Sequence, residues 1–299
     1  MRKQMPDSRA ELLQEHIDAF PILPTTATRV MQVTSNPESS AQDLMEAILP
    51  DQALCVTVLK LANSVLFGRP KKVDSIKLAI TVLGFDEVQA IALSKAMINS
   101  FNDLAWKKKT NLDAFWKHSL LTGLAARRIA QHLRSPLAGS FIAGLIHDIG
   151  KLVMLMTFES EYAPAEWLEH FSTVEQLAAE QKRFVFTHDI VGGELLKKWA
   201  FPDNLLAAVT FHHCPEDAGS QKGIATIVQL ADLLAHCCNF PEMLEGQNIT
   251  HCIQQYLPNL ASRWLALGYR WDDEVVQRWY QWLLNNHQEN DSIRTLFLQ

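Results

Sequence analysis

Apolar residues recur every three to four positions along almost the whole chain, and the strict alternation of a half-buried strand is almost absent. This periodicity predicts an all-α fold. After a polar opening, Phe20-Pro21-Ile22-Leu23-Pro24 reads as an extended, proline-punctuated segment. A helix is expected next, through Val30 and Val33, stopping before Asn36-Pro37. Ser39 or Ser40 is placed to cap a helix bearing Leu44, Ile48 and Leu49, and Pro50-Asp51 marks the following turn. Leu54, Val58, Leu61, Ala62 and Val65 form one stripe between Asp51 and Phe67, a core-facing helix that Gly68-Arg69-Pro70 breaks. Helices from about Ser75 to Leu83, ending at Gly84, and from about Asp86 to Phe101 complete the first part.

The polar stretch from Trp106 to Asn111 is the best boundary, and it is too short for a free linker. The expected division is an N-terminal helical part over 1–110, a second helical part over 111–239 and a tryptophan-rich extension over 240–299. In the second part, histidines and acids begin to fall on apolar faces. A helix from about Asp113 to Leu133 carries His118 in line with Leu121, Thr122, Ala125 and Ile129. One beginning near Pro136 ends in His147-Asp148. Ala165 to Arg183 reads as an amphipathic surface helix. Thr187 is placed to cap a helix with His188, Val191 and Leu195 on one side. Pro202 suits the first turn of a helix that leads into His212-His213. The helix from about Ile224 to Cys238 sets Asp232 among Val228, Leu230 and Leu233. Trp264, Trp271, Trp279 and Trp282 belong to helices that pack on the main body, or to an exposed aromatic face, with packing preferred.

Composition narrows the class. At 299 residues the chain can bury one large core or two smaller ones. The net charge of -6 argues against nucleic acid as the main partner, and the short clusters Arg69-Pro70-Lys71-Lys72 and Lys107-Lys108-Lys109 read as solvated loops. The five cysteines, Cys55, Cys214, Cys237, Cys238 and Cys252, are odd in number and form no C-x-x-C pair, which predicts reduced thiols. The opening Met1-Arg2-Lys3-Gln4-Met5 leads into no apolar signal region, and no stretch reaches the ~18 uninterrupted apolar residues of a membrane span. A cytoplasmic protein with no membrane partner is expected.

The chemistry centres on Gly144-Leu145-Ile146-His147-Asp148-Ile149-Gly150-Lys151. Neighbours on a helix point about 100° apart, so His147 and Asp148 converge inward only where the helix ends, and Gly150 is placed to end it. An ionised Asp in apolar surroundings also needs a metal or donors to compensate it. Alone, the pair is equally well a capped terminus with a hydrogen-bonded His. The set formed by His118, His147, Asp148, His188, His212, His213 and Asp232 argues for one shared site. Imidazoles with carboxylates suit Mn, Fe, Co, Ni or Zn, as one or two ions with open positions, better than Ca²⁺ or Mg²⁺.

His118, then His147-Asp148, then Asp232 resemble the H…HD…D signature of the HD superfamily of metal-dependent phosphohydrolases. His188, His212 and His213, with Lys151 three residues after Asp148, resemble the two-metal arrangement of the HD-GYP branch, which hydrolyses cyclic di-GMP. No Gly-Tyr-Pro tripeptide occurs, and Ala114 stands where some three-metal relatives carry a Glu. Leu59-Lys60-Leu61-Ala62-Asn63-Ser64-Val65-Leu66-Phe67-Gly68, then Val73-Asp74-Ser75-Ile76-Lys77-Leu78-Ala79-Ile80, then Val82-Leu83-Gly84, resemble an HDOD domain. The resemblance runs from about Ile17 to Asn239 and leaves out the tail.

The resemblance implies an HD-like helical bundle acting as an output or regulatory module of bacterial signalling, with a nucleotide or other phosphoester as ligand and a protein partner. It also leaves an active phosphohydrolase or phosphodiesterase open. There His118, His147, Asp148 and Asp232 hold one ion, and His188, His212 and His213 hold another with Asp148 bridging. In that scheme Asp148 and Lys151 are the catalytic pair, Lys151 holding a phosphate oxygen or supporting Asp148; its bland reading is a surface lysine near a helix end. A scaffold with an empty pocket that uses its tail to bind a partner is the third reading.

Overall fold

Caps and chain breaks set the helix ends. In the computed structural model, which describes residues 8–20, 23–64, 72–102, 112–133, 139–158, 161–162 and 174–285, the regular elements are helices, and no strand occurs among the described residues. Ser8 opens α1 (Arg9–Ala19) through a reciprocal bond pair with Glu11. α2 spans Thr25–Ser35. Ser40, not Ser39, caps α3 (Ala41–Ile48), and Asp43 closes the same kind of box. Asp51 caps α4 (Gln52–Ala62) and Ser75 caps α5 (Ile76–Leu83). Gly84, at φ +91°, ends α5, and α6 follows as Phe85–Asn102.

α4 stops at Ala62, earlier than its apolar stripe predicts. Asn63 takes the C-cap position, and its side-chain amide bonds both backbone groups of Val73, donating to the carbonyl at 2.7 Å and accepting from the N–H at 2.9 Å. That bond pair ties the end of α4 to the approach of α5. Val65 and the break at Gly68-Arg69-Pro70 lie outside the described residues, as do the boundary at 106–111, the helix start at Pro136 and the start of the surface helix at Ala165.

The chain divides into two compact units. One is Ile22–Lys108 with Leu284–Gln299; in it α2 packs on α3 and α6, and α5 packs on α3, α4 and α6. The other is Met1–Pro21 with Lys109–Leu283. It contains α1 and then α7 (Asp113–His132), α8 (Ser140–Ile146), α9 (Ile149–Phe158), α10 (Val174–Phe184) and α11 (His188–Lys198). After these come α12 (Asp203–Phe211), α13 (Lys222–Asn239), α14 (Ile249–Tyr256), α15 (Leu260–Ala266) and α16 (Asp273–Asn285).

α13 is buried on every side from Ile224 to Cys237 and takes the packing of α7, α8, α12, α14 and α15. α7 and α8 approach closely because Gly123 and Gly144 meet at their crossing. A Cβ on Gly144 would stand 2.7 Å from the Thr122 carbonyl. The stretch Ser140–Phe158 is long and apolar enough to match a membrane span, but 94% of it is buried in this unit and His147-Asp148 interrupts it. The tail packs: Trp264 and Trp279 are buried, and Trp271 and Trp282 are half-buried.

Candidate metal centre

α8 ends at Ile146 and α9 starts at Ile149, so His147 and Asp148 occupy the break itself. Gly150 does not end the helix, as the sequence suggests; it lies inside α9. Its missing side chain serves packing, because a Cβ there would run into the His188 carbonyl and come within 2.6 Å of the Gly192 nitrogen. α11 can therefore seat His188 against Asp148.

Two histidines are held by the same device. His147 is the C-cap of α8 and its Nδ1 donates to the Gly144 carbonyl at 2.8 Å; His212 is the C-cap of α12 and its Nδ1 donates to the Val209 carbonyl at 2.7 Å. In each ring the backbone takes the Nδ1 proton and turns Nε2 inward. Both Nε2 atoms are buried without a hydrogen-bond partner among the described residues. His118, from α7, and Asp232, from α13, complete one side, with His118 Nε2 3.0 Å from Asp232 Oδ1.

Seven side chains predicted to form one site come together as two adjoining groups. Asp148, His188, His212 and His213 form one, and His118, His147 and Asp232 form the other; in each group one ligand-type atom per residue lies within 4.8 Å of the rest. Asp148 joins them. Its Oδ1 is 3.1 Å from His188 Nε2 and 3.7 Å from His212 Nε2, while its Oδ2 is 3.4 Å from His147 Nε2 and 4.0 Å from His118 Nε2. Lys151, 1% exposed, donates to the same Oδ2 at 2.7 Å. It is no surface lysine, and its ammonium is directed at Asp148.

Charge follows this geometry. Burial alone would raise Asp148 and Asp232, but both carboxyls are held well below the usual range, Asp148 by the charges of His147 and Lys151 and Asp232 by those of His147 and His236. Burial pulls the imidazoles the other way. The carboxylates of Asp148 and Asp232 overcome it at His147, which is pushed up to about 9, and Glu180 with Asp148 overcome it at His188, pushed up to about 10. At His118 and His213 burial prevails and lowers both.

Sequence reasoning missed two members. Glu180 sits on α10, taken as a surface helix, yet it is 2% exposed. Thr187 holds the N-cap position of α11 but its side chain makes no capping bond; the Glu180 carboxylate accepts from the His188 N–H at 2.8 Å instead. The same carboxylate accepts from His188 Nδ1 at 2.9 Å and from the Tyr162 hydroxyl at 2.6 Å. His236, one turn after Asp232, places Nε2 3.3 Å from Asp232 Oδ1 and its ring 4.0 Å from that of His118. Its i, i+4 spacing from Asp232 was the available signal. The tail also reaches the site: Arg263 donates to Gln229 at 2.6 Å, and Gln229 donates to the His213 carbonyl at 3.0 Å.

The profile of the HDOD domain matches residues 20–215. The chain belongs to the HDOD domain family. An uncharacterized protein of Treponema pallidum (strain Nichols) is 23% identical to this HDOD chain over 227 residues, which cover 75% of the chain and 44% of that protein. A solved structure from Shewanella amazonensis SB2B, named "putative phosphohydrolase", aligns with TM-score 0.71 at 19% identity, over 96% of this chain and 98% of that one. Another from Marinobacter aquaeolei VT8, named "putative signal transduction protein", aligns with TM-score 0.69 at 20% identity, over 97% and 66%. At these identities the two structures establish the shared HD-like helical fold.

Proposed function

We propose that this HDOD protein is a regulatory module of signalling whose His/Asp centre holds one or two divalent transition-metal ions. The observation that carries the reading is Asp148, one buried carboxylate faced on both oxygens by imidazole Nε2 atoms, two of which have no hydrogen-bond partner of their own among the described residues. Buried nitrogens that meet a carboxylate only at 3.4 and 3.7 Å, without hydrogen-bond geometry, are poorly satisfied unless a ligand lies between them. The donor set suits Fe, Mn, Ni, Co or Zn. His118, His147, Asp148 and Asp232 would hold one ion, and Asp148, His188, His212 and His213 a second. A bound ion would supply Lewis-acid charge to a phosphoester oxygen.

Lys151 favours binding over turnover. Its buried ammonium already donates to Asp148, which supports that carboxylate and leaves the lysine poorly placed to take a substrate phosphate. A nucleotide or other phosphoester as ligand, and a protein partner that reads the bound state, fit a signalling role. The five cysteines are free thiols, which fits a reducing cytoplasmic setting.

Elemental analysis of the purified full chain, before and after incubation with Mn²⁺ or Fe²⁺, tests the reading. Bound metal that falls to background in Asp148→Ala is expected. A folded protein that retains no added metal would overturn it, and metal-dependent cleavage of a generic phosphodiester, lost in Asp148→Ala, would move it to the hydrolase.

A further inference from the structure

The C-terminal helices enclose a second concave site. A pocket of about 270 Å³ lies between the end of α7, the turn joining α15 to α16, and α16 itself. Trp264, 1% exposed, is buried at its base. Three rings stand round it: Tyr269 with centroids 5.7 Å apart and planes at 54°, Trp271 at 5.8 Å and 89°, and Trp279 at 6.3 Å and 55°. These are edge-packed contacts, so Trp264 and Trp279, 1% and 5% exposed, are covered, and the ring surface open to the pocket is that of the half-buried Tyr269 and Trp271.

Two opposite charges complete the lining. Arg270 is exposed and has no ion pair or hydrogen bond among the described residues. Asp272 caps α16 with Oδ1 alone, accepting from Glu274 and Val275, so Oδ2 takes part in neither bond. Trp271 donates its Nε1–H to Asp273 at 2.8 Å and therefore offers a ligand its ring face, not its N–H. A cation already lies on a tryptophan of this helix, since the Arg128 guanidinium sits 5.4 Å from the Trp282 ring centre.

We propose that this pocket binds a small zwitterion carrying a methylated ammonium and a carboxylate. A methylated ammonium has little or no N–H to satisfy and spreads its charge over methyl groups, which suits π faces with a carboxylate nearby. The ligand's carboxylate pairs with the planar donor fork of Arg270. A simple cation would meet Arg270 unfavourably, and a simple anion would meet the π surface and Asp272. The pocket is separate from the metal centre: its wall at His132 lies about 21 Å along α7 from His118 at 1.5 Å per residue. Most of its lining, from Trp264 to Trp279, falls beyond the residues matched to the HDOD domain, while His132 and Leu133 lie within them.

Calorimetric titration of the full chain with three probes tests this. Trimethylglycine carries both charges, tetramethylammonium lacks the carboxylate, and tert-butylacetate replaces the charged nitrogen by carbon. Saturable binding of trimethylglycine, about tenfold tighter than either of the others, is expected. Trp271→Ala should weaken it about tenfold, and Arg270→Ala should bring it to the level of tetramethylammonium, with the helical circular dichroism of both variants unchanged. Equal binding of tert-butylacetate would show an apolar crevice only. Equal binding of tetramethylammonium would remove Arg270 from the site. No saturable heat from any probe would overturn the proposal outright.

Discussion

Lys151 Nζ lies 2.7 Å from Asp148 Oδ2, and both side chains are 2% exposed. They sit one helical turn apart across the break between α8 and α9, so the backbone that positions the carboxylate also brings its cation. Removing one partner of a buried pair leaves the other charge uncompensated, which costs about 3–5 kcal/mol where no other charge helps. Here His147 and His188 share the load.

Lys151→Met should therefore destabilise the metal-free protein by about 2–3 kcal/mol. A bound divalent ion would return positive charge to the same carboxylate, so saturating Mn²⁺ should recover most of the loss. Urea denaturation of wild type and variant, each with and without metal, measures both numbers. A loss within about 0.5 kcal/mol would mean that Lys151 only fills space.

Glu180 orients His188 from behind, and its outermost support is the Tyr162 hydroxyl. Carboxylates placed behind a ligand histidine fix its tautomer and ring plane, and their loss costs about 10- to 100-fold in metal affinity. Glu180→Gln should weaken binding by roughly that factor at one of the two groups, with Tyr162→Phe costing less. Competition titration with a chromophoric chelator gives the affinities. Unchanged affinity in Glu180→Gln would reduce Glu180 to a cap for α11.

Gly150→Ala tests the packing that seats His188. The added methyl meets the His188 carbonyl, so α9 and α11 must separate or the backbone must shift. Overpacking of this kind costs about 1–3 kcal/mol, and contact with backbone puts it at the upper end. A thermal midpoint several degrees lower is expected, together with weaker metal binding, because His188 moves away from Asp148. A variant as stable as wild type would show that the interface yields freely.

How far the sequence reached follows from the same residues. The helical fold was legible because periodicity survives in nearly every segment, and side chains such as Ser40 and Ser75 mark helix starts by local chemistry; α1, capped by Ser8, reads in the sequence only as a polar opening. His118, His147, His188, His212 and Asp232 could be singled out because polar groups on apolar faces are conspicuous. Glu180 could not, since its sequence neighbours Gln181, Lys182 and Arg183 are exposed polar and charged residues; only the tertiary contact with His188 makes it part of the site. Gly150 was misread for a related reason. Glycine near a helix end suggests a terminator, and a close approach by another helix leaves no local trace.

The shared carboxylate makes a sharper prediction about stoichiometry. Asp232 serves only the group with His118 and His147, and His212 lies with His188 and His213, whereas Asp148 faces both. Asp232→Ala and His212→Ala should each lose one ion and keep the other if two are bound, and Asp148→Ala should lose both. The double variant Asp232→Ala/His212→Ala should then match Asp148→Ala. With a single ion centred on Asp148, the two single variants would instead weaken the same binding event, and stoichiometry would stay at one with reduced affinity. Metal-to-protein ratios from elemental analysis under saturating Mn²⁺, read beside the affinities, separate these outcomes. Full retention of metal in Asp148→Ala would contradict both, because no other carboxylate joins the two groups of histidines among the described residues.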